Sequence, residues 1–118
     1  MEKVNYLEQL KKKMDEYVHY VYGLTRKFPK EELYGVTSQL RRATLSIILN
    51  FIEGYARKKK AVKQNFWEIS FGSLKESKYL IHFSQKEGYL NKEDYNQSIR
   101  MAEEIGAMLW RALQPLDD

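Results

Sequence analysis

Cysteine is absent from the 118 residues, and proline and histidine occur only twice each, at Pro29, Pro115, His19 and His82. Without cysteine the chain has no disulfide, no thiolate metal site and no cysteine nucleophile, and a reducing cytoplasmic setting is expected. With so little proline, long helices are permitted across almost everything between Pro29 and Pro115. Long hydrophobic runs are also missing. The longest charge-free stretch, Ala43 to Ile52, is ten residues, about half of the ~20 that a membrane-spanning helix needs. Charges are scattered through the opening "MEKVNYLEQLKKKMDEY", which does not read as a secretory leader. A soluble, cytoplasmic chain with no membrane partner is expected.

What is present is the balance of a folded domain, 43% hydrophobic and 31% charged residues, in a length that suits one core, so 1–118 is read as a single domain. The net charge of +4 is unevenly placed. "RKKKAVK" (57–63) carries five cations and no anion, leaving the rest of the chain near neutrality. A localised basic patch points to a phosphate-bearing partner, where a diffuse excess would only favour solubility.

Val4, Leu7, Leu10, Met14, Tyr17, Val21 and Leu24 recur at steps of three and four, the signature of one apolar face on a first helix over about residues 3–27. "KFPKEE" breaks it, and a second helix is expected to begin within a few residues of Glu31 and to reach about Arg57. On that helix Leu40, Ile47, Phe51 and Gly54 share one face, with Leu45, Ile48, Ile52 and Tyr55 beside them. The apolar surface is wider than one core requires. The opposite edge, Gln39, Arg42, Ser46, Asn50, Glu53 and Arg57, is polar.

A third helix over about 61–87 offers Phe66, Ile69, Leu74, Leu80 or Ile81, and Phe83 as its core stripe, with Trp67 and Phe71 as surplus apolar surface. Gly88 suits a left-handed helix stop and Asn91 an N-cap. A fourth helix follows, buried through Tyr95, Ile99, Ala102, Ile105, Leu109, Leu113 and Leu116. Four such helices with short connections predict an all-α, antiparallel up-down-up-down four-helix bundle. Gly54, Gly72 and Gly106 inside helices are expected to mark close helix approaches.

The stretch "FPKEELYGVTSQLRRATLSIILNFIEGYAR" (28–57), with "GSLKE" (72–76) and "GYL" (88–90), resembles a bacterial four-helix-bundle family first associated with intervening sequences in 23S ribosomal RNA genes. The resemblance lies in Phe-Pro, then Gln, a hydrophobic residue, Arg-Arg-Ala, Ser-Ile, Asn, Glu-Gly and Arg in order. Family members often carry Pro-Ser where this chain has Ile48 and Leu49, and smaller residues at Ile52 and Ala56. The resemblance implies a ring-like homo-oligomer, pentameric in relatives. It also implies a kinship with accessory factors of reverse transcriptases in diversity-generating retroelements, which bind nucleic acid through basic surfaces. An interface through Leu45, Ile48, Ile52, Tyr55, Trp67 and Phe71 is the economical account of the surplus apolar surface; the alternative is a monomer whose second helix is central in the bundle.

Recognisable catalytic patterns are few. Glu16 and His19 have the Glu-x-x-His spacing of di-iron bundles, but Tyr79 precedes His82 where a second copy would need glutamate, so no metal and no cofactor is expected. "GSLKES" lies mid-helix, not in a nucleophile elbow, and there is no P-loop or dinucleotide fingerprint. The chain is read as a non-enzyme. Ser46, Asn50 and Glu53 are read as a structural polar ladder beside Arg42 and Arg57. Arg57, Lys58, Lys59, Lys60 and Lys63, joined by Arg41 and Arg42, are the candidate contacts to RNA or DNA backbone. Tyr55, Phe66 and Trp67 flank the patch, as packing residues or as stacking surfaces. The competing reading is a protein-interaction scaffold, or an accessory factor for a reverse transcriptase, whose basic loop only solubilises.

Overall fold

The computed structural model describes residues 2–116, with side chains from residue 4 onward. Four helices follow one another: α1 (Glu2–Thr25), α2 (Val36–Tyr55), α3 (Lys60–Lys86) and α4 (Lys92–Leu113), with short 3-10 turns at Lys30–Glu32 and Gln114–Leu116. Each helix packs on the next and α4 returns to α1, closing a bundle 44 × 24 × 20 Å. The expected fold is therefore present.

Leu7, Leu10, Met14, Tyr17, Val21 and Leu24 are buried as their spacing predicts, while Val4 is exposed. On α4 the stripe Ala102, Ile105, Leu109 and Leu113 is buried, with Tyr95, Ile99 and Leu116 packed against it. At the end of α3, Gly88 takes φ 81°. The Tyr89 amide then donates to the Ser84 carbonyl (2.8 Å) and the Gly88 amide to Gln85 (3.0 Å), closing the carbonyls left open by the last turn. The Asn91 side chain accepts from the Asp94 amide at 2.7 Å, capping α4 as expected.

Two boundaries differ from the sequence reading. α2 starts at Val36 instead of near Glu31, because Pro29 holds extended backbone and the chain makes a 3-10 turn first. Glu32 serves as the missing cap: its Oε1 accepts from the Val36 amide (3.1 Å) and its Oε2 from the Tyr89 hydroxyl (3.1 Å). A β-carbon on Gly35 would stand 2.6 Å from that Oε1. At its other end α2 stops at Tyr55, so Arg57 belongs to a loop.

The core stripe of α3 also needs correcting. Ile69 (45%) and Phe83 (37%) are exposed, and Phe66 is only half-buried. The buried face is instead Trp67, Ser70, Ser73, Leu74, Ser77, Leu80, Ile81 and Ser84. Serine on a buried face lets two helix backbones approach closely, at the cost of a hydroxyl that must be satisfied. Here each one is. Ser70 Oγ donates to Ile47 O (2.6 Å), Ser77 to Leu74 O and Ser84 to Leu80 O (both 2.7 Å), and Ser73 meets Ser46 at 2.7 Å. Among the described residues no buried side-chain nitrogen or oxygen lacks a partner. Across the core the Tyr17 hydroxyl pairs with Ser77 Oγ at 3.0 Å. Burial pushes that phenol up to about 12, although the Ser77 hydrogen bond acts the other way.

Gly54 permits the close approach of α2 and α3, since a β-carbon there would lie 2.5 Å from Trp67 Cδ1. Gly106 is milder, 3.3 Å from Leu74, and Gly72 has open space around it, contrary to expectation.

Candidate nucleic-acid interface

The loop between α2 and α3 is fixed by the contact beneath it. Trp67, one turn or two into α3, is 1% exposed, stacks on Phe51 with centroids 5.1 Å apart, and donates from Nε1 to the Phe51 carbonyl at 3.0 Å. This pins the first turns of α3 to the last turns of α2. Ala56–Lys59 must then cross between the helices at the end of the bundle. Arg57, Lys58, Lys59 and Lys60 are exposed there, with Lys63 half-buried just inside α3.

Arg57 and Lys63 are among the cations positioned by neighbours. Arg57 Nη2 donates to Glu53 Oε2 at 2.6 Å, and its guanidinium lies 5.3 Å over the Phe66 ring. Lys63 Nζ lies 5.6 Å over Trp67. Lys59 occupies the N-cap position of α3 without a capping hydrogen bond, and the first turn has no acidic residue. Cations therefore stand where the helix dipole favours anions. That arrangement opposes helix stability, and an anion held by the ammonium groups would relieve it.

Arg41 and Arg42 do not join this cluster. They lie at the other end of α2, roughly 20 Å away along the helix. Arg41 Nε donates to Thr25 Oγ1 at 2.8 Å and its guanidinium covers the Tyr22 ring at 4.7 Å. Its place is structural, tying α2 to the end of α1; Arg42 is exposed beside it.

The six residues expected at an oligomer interface also separate. Leu45 and Ile52 are exposed and Ile48 half-buried, on the outer flank of α2. Leu49, which the sequence reading left out, completes that stripe at 56% exposure. Beside it, Ile48 and Ile52 form one wall of a cleft of about 570 Å³ whose other wall is polar α1, including Asn5, Glu8 and Asp15. Tyr55 turns edge-on to Phe51. Trp67 is core and offers no surface. Phe71 points toward α4, 6.0 Å from Trp110.

Along the polar edge of α2 the hydrogen bonds fall into separate rungs. Asn50 Nδ2 donates to the Ser46 carbonyl (2.9 Å) and hydroxyl (3.0 Å), and Ser46 reaches Ser73 on α3. Glu53 pairs with Arg57, a separate rung. Glu16 has no metal-binding company: among the described residues no group of three His, Cys, Asp or Glu could hold an ion. His19 instead faces Asp15 at 3.4 Å on the surface. No helix of the described residues is long and apolar enough to cross a membrane.

Trp110, 58% exposed, is a surface aromatic that sequence reasoning passed over. The signal was available: it follows Leu109, about 100° off the stripe formed by Ile105, Leu109 and Leu113.

The fold is shared with a solved protein of unknown function from the S23 ribosomal protein family of Bacteroides thetaiotaomicron VPI-5482. The two are 20% identical, with a TM-score of 0.83 over 89% of this chain and 98% of that one. No curated protein matches the sequence. The family model for 23S rRNA-intervening sequence proteins matches residues 8–111, spanning all four helices from the first buried turns of α1 to the last turn of α4, and the chain belongs to that family.

Proposed function

We propose that this protein is a non-catalytic, self-assembling four-helix bundle that binds nucleic-acid backbone through the α2–α3 loop. The observation that carries the reading is the cluster Arg57, Lys58, Lys59, Lys60 and Lys63, gathered at one end of the bundle over an α3 first turn without acidic residues. Contacts from such cations neutralise phosphates without reading sequence, and their affinity falls steeply with salt. Leu45, Leu49 and Ile52 support self-assembly, since three neighbouring aliphatic side chains on one helix flank favour burial against another copy. Assembly would multiply the basic end around a ring and strengthen its field.

The test is fluorescence anisotropy with labelled RNA and DNA over a salt series, on protein whose mass in solution is known. Expected is a salt-dependent isotherm that collapses when Lys58, Lys59 and Lys60 become glutamine. Absence of binding at low salt defeats the reading. A scaffold for a protein partner such as a reverse transcriptase is the second reading, favoured by the same α2 stripe; it predicts pull-downs that resist both salt and nuclease.

A further inference from the structure

One side of α3 carries a pattern that the loop does not explain. Starting from the basic end, Lys60, Gln64, Trp67, Phe71, Lys75 and Lys78 follow one another at steps of four, three, four, four and three, so they lie along one side of the helix. From Lys60 to Lys75 this track runs about 22 Å. Trp67 is sealed in the core, but Phe71 is half-buried and Trp110 of α4 stands beside it, rings 6.0 Å apart and tilted 49°. Lys75 Nζ sits 5.1 Å over Phe71, and Lys78 Nζ reaches Glu103 Oε2 at 3.3 Å.

The surface there is concave. A cleft of about 130 Å³ between Phe71 and Trp110 adjoins one of about 260 Å³ that reaches Lys75, Lys78 and Gly106, and the two share Phe71. Gly106 and Ala107 keep the α4 wall low. Two carboxylates border the track, Glu68 and Glu103, against its three lysines Lys60, Lys75 and Lys78, of which Lys78 is paired with Glu103. The excess is positive, and it is interleaved with aromatic surface.

Resting on the nucleic-acid reading of the loop, we infer that the Phe71–Trp110 groove extends that site and holds single-stranded nucleic acid, with a base stacked on Trp110 and the backbone following Lys60 and Lys75. Three observations combine in this assignment. An aromatic side chain more than half exposed offers a stacking surface that is sequence-tolerant. Lys60 at the loop and Lys75 over Phe71 lie on the same side of α3, an arrangement able to track a phosphate backbone past the groove. A duplex, whose bases are already stacked, cannot use Trp110 in this way, so strandedness is selected at the groove while charge is met at the loop.

The test uses fluorescein-labelled oligo-dT and oligo-U of about 12 nucleotides, within the range a single small domain covers, and a duplex of equal length. Trp110→Ala is expected to weaken single-strand binding at least about five-fold while leaving duplex binding and the salt slope unchanged. The Lys58, Lys59, Lys60 glutamine variant is expected to weaken both. Because Trp67 is buried, an unlabelled oligonucleotide should quench the emission of Trp110, and Trp110→Phe should abolish that quench while retaining part of the affinity. Wild-type binding that is indifferent to Trp110→Ala overturns the groove and leaves the loop standing. A change in the mass of the free protein on Trp110→Ala also overturns it, assigning the groove to a second copy. No binding by wild type at low salt removes loop and groove together.

Discussion

Gly54 and Trp67 occupy one space: a β-carbon on the glycine would stand 2.5 Å from Cδ1 of the indole and 2.6 Å from its nitrogen. The indole cannot retreat, because it is stacked on Phe51 and hydrogen-bonded to the Phe51 carbonyl. Gly54→Ala should therefore destabilise the fold by about 1–2 kcal/mol, since overpacking of ~1–3 kcal/mol outweighs a helix-propensity gain of at most about 1 kcal/mol. Gly72→Ala, in open space, should stabilise by up to that gain. Urea unfolding of the two variants checks the contrast; equal effects of the same sign would refute it.

Tyr17 sets an alkaline limit. Its phenol is pushed up to about 12 in the fold against about 10 in an unfolded chain. The neutral form is the one the core accepts, so the stabilisation is complete below pH ~10 and falls as the unfolded state loses its proton between pH ~10 and ~12. The loss is on the order of 2–3 kcal/mol. Tyr17→Phe should remove this part of the pH profile, and Ser77 still has the Leu74 carbonyl to donate to. Melting temperatures of both proteins across that window give the comparison, and parallel curves would contradict the assignment.

Self-assembly should depend on the outer flank of α2. Leu49→Glu, at a side chain 56% exposed, is expected to leave the helical circular dichroism and unfolding midpoint nearly unchanged, as surface substitutions usually do within about 0.5 kcal/mol. Light scattering should then report a smaller particle than wild type. The same particle for both proteins would rule the flank out as an interface.

Glu32 acts as a two-pronged clamp, holding the Val36 amide at the start of α2 and the Tyr89 hydroxyl after α3. Glu32→Ala should cost about 1–2 kcal/mol, the scale of a lost helix cap. Tyr89→Phe, which keeps the ring packed 5.6 Å from Phe28, should cost about 1 kcal/mol, the scale of one hydrogen bond. A double variant losing no more than Glu32→Ala alone would show that the tyrosine acts through this carboxylate.

Much of the architecture was legible because apolar period and helix punctuation agreed. Leu10, Met14 and Tyr17, the Gly88 stop and the Asn91 cap each specify local structure that the bundle then uses. α3 was misread for a definite reason. Its buried face interleaves Ser70, Ser73, Ser77 and Ser84 with Trp67, Leu74, Leu80 and Ile81, while Ile69 and Phe83 look outward, so hydrophobicity and burial are only partly in phase. Three of those hydroxyls return to carbonyls and Ser73 meets the Ser46 hydroxyl, and such partners have no sequence signature. The basic loop was visible as composition. That Arg41 and Arg42 stand at the other end of α2, one of them held by Thr25 and Tyr22, required knowing where the helix begins and ends.

The seam of Ser46, Ser70 and Ser73 between α2 and α3 imposes a limit on change over generations. A side chain there is judged by volume before polarity: alanine or glycine fits the gap and loses only a hydroxyl, whereas leucine, a favoured helix residue, would wedge the pair apart. On the outer flanks the rule reverses, because Leu49 or Ile69 can drift in size with little effect on the monomer. Descendants of this chain should therefore vary more freely at outward aliphatic positions such as Ile69 than at the small polar positions of the seam, while the buried apolar stripes of the four helices stay as constrained as any core.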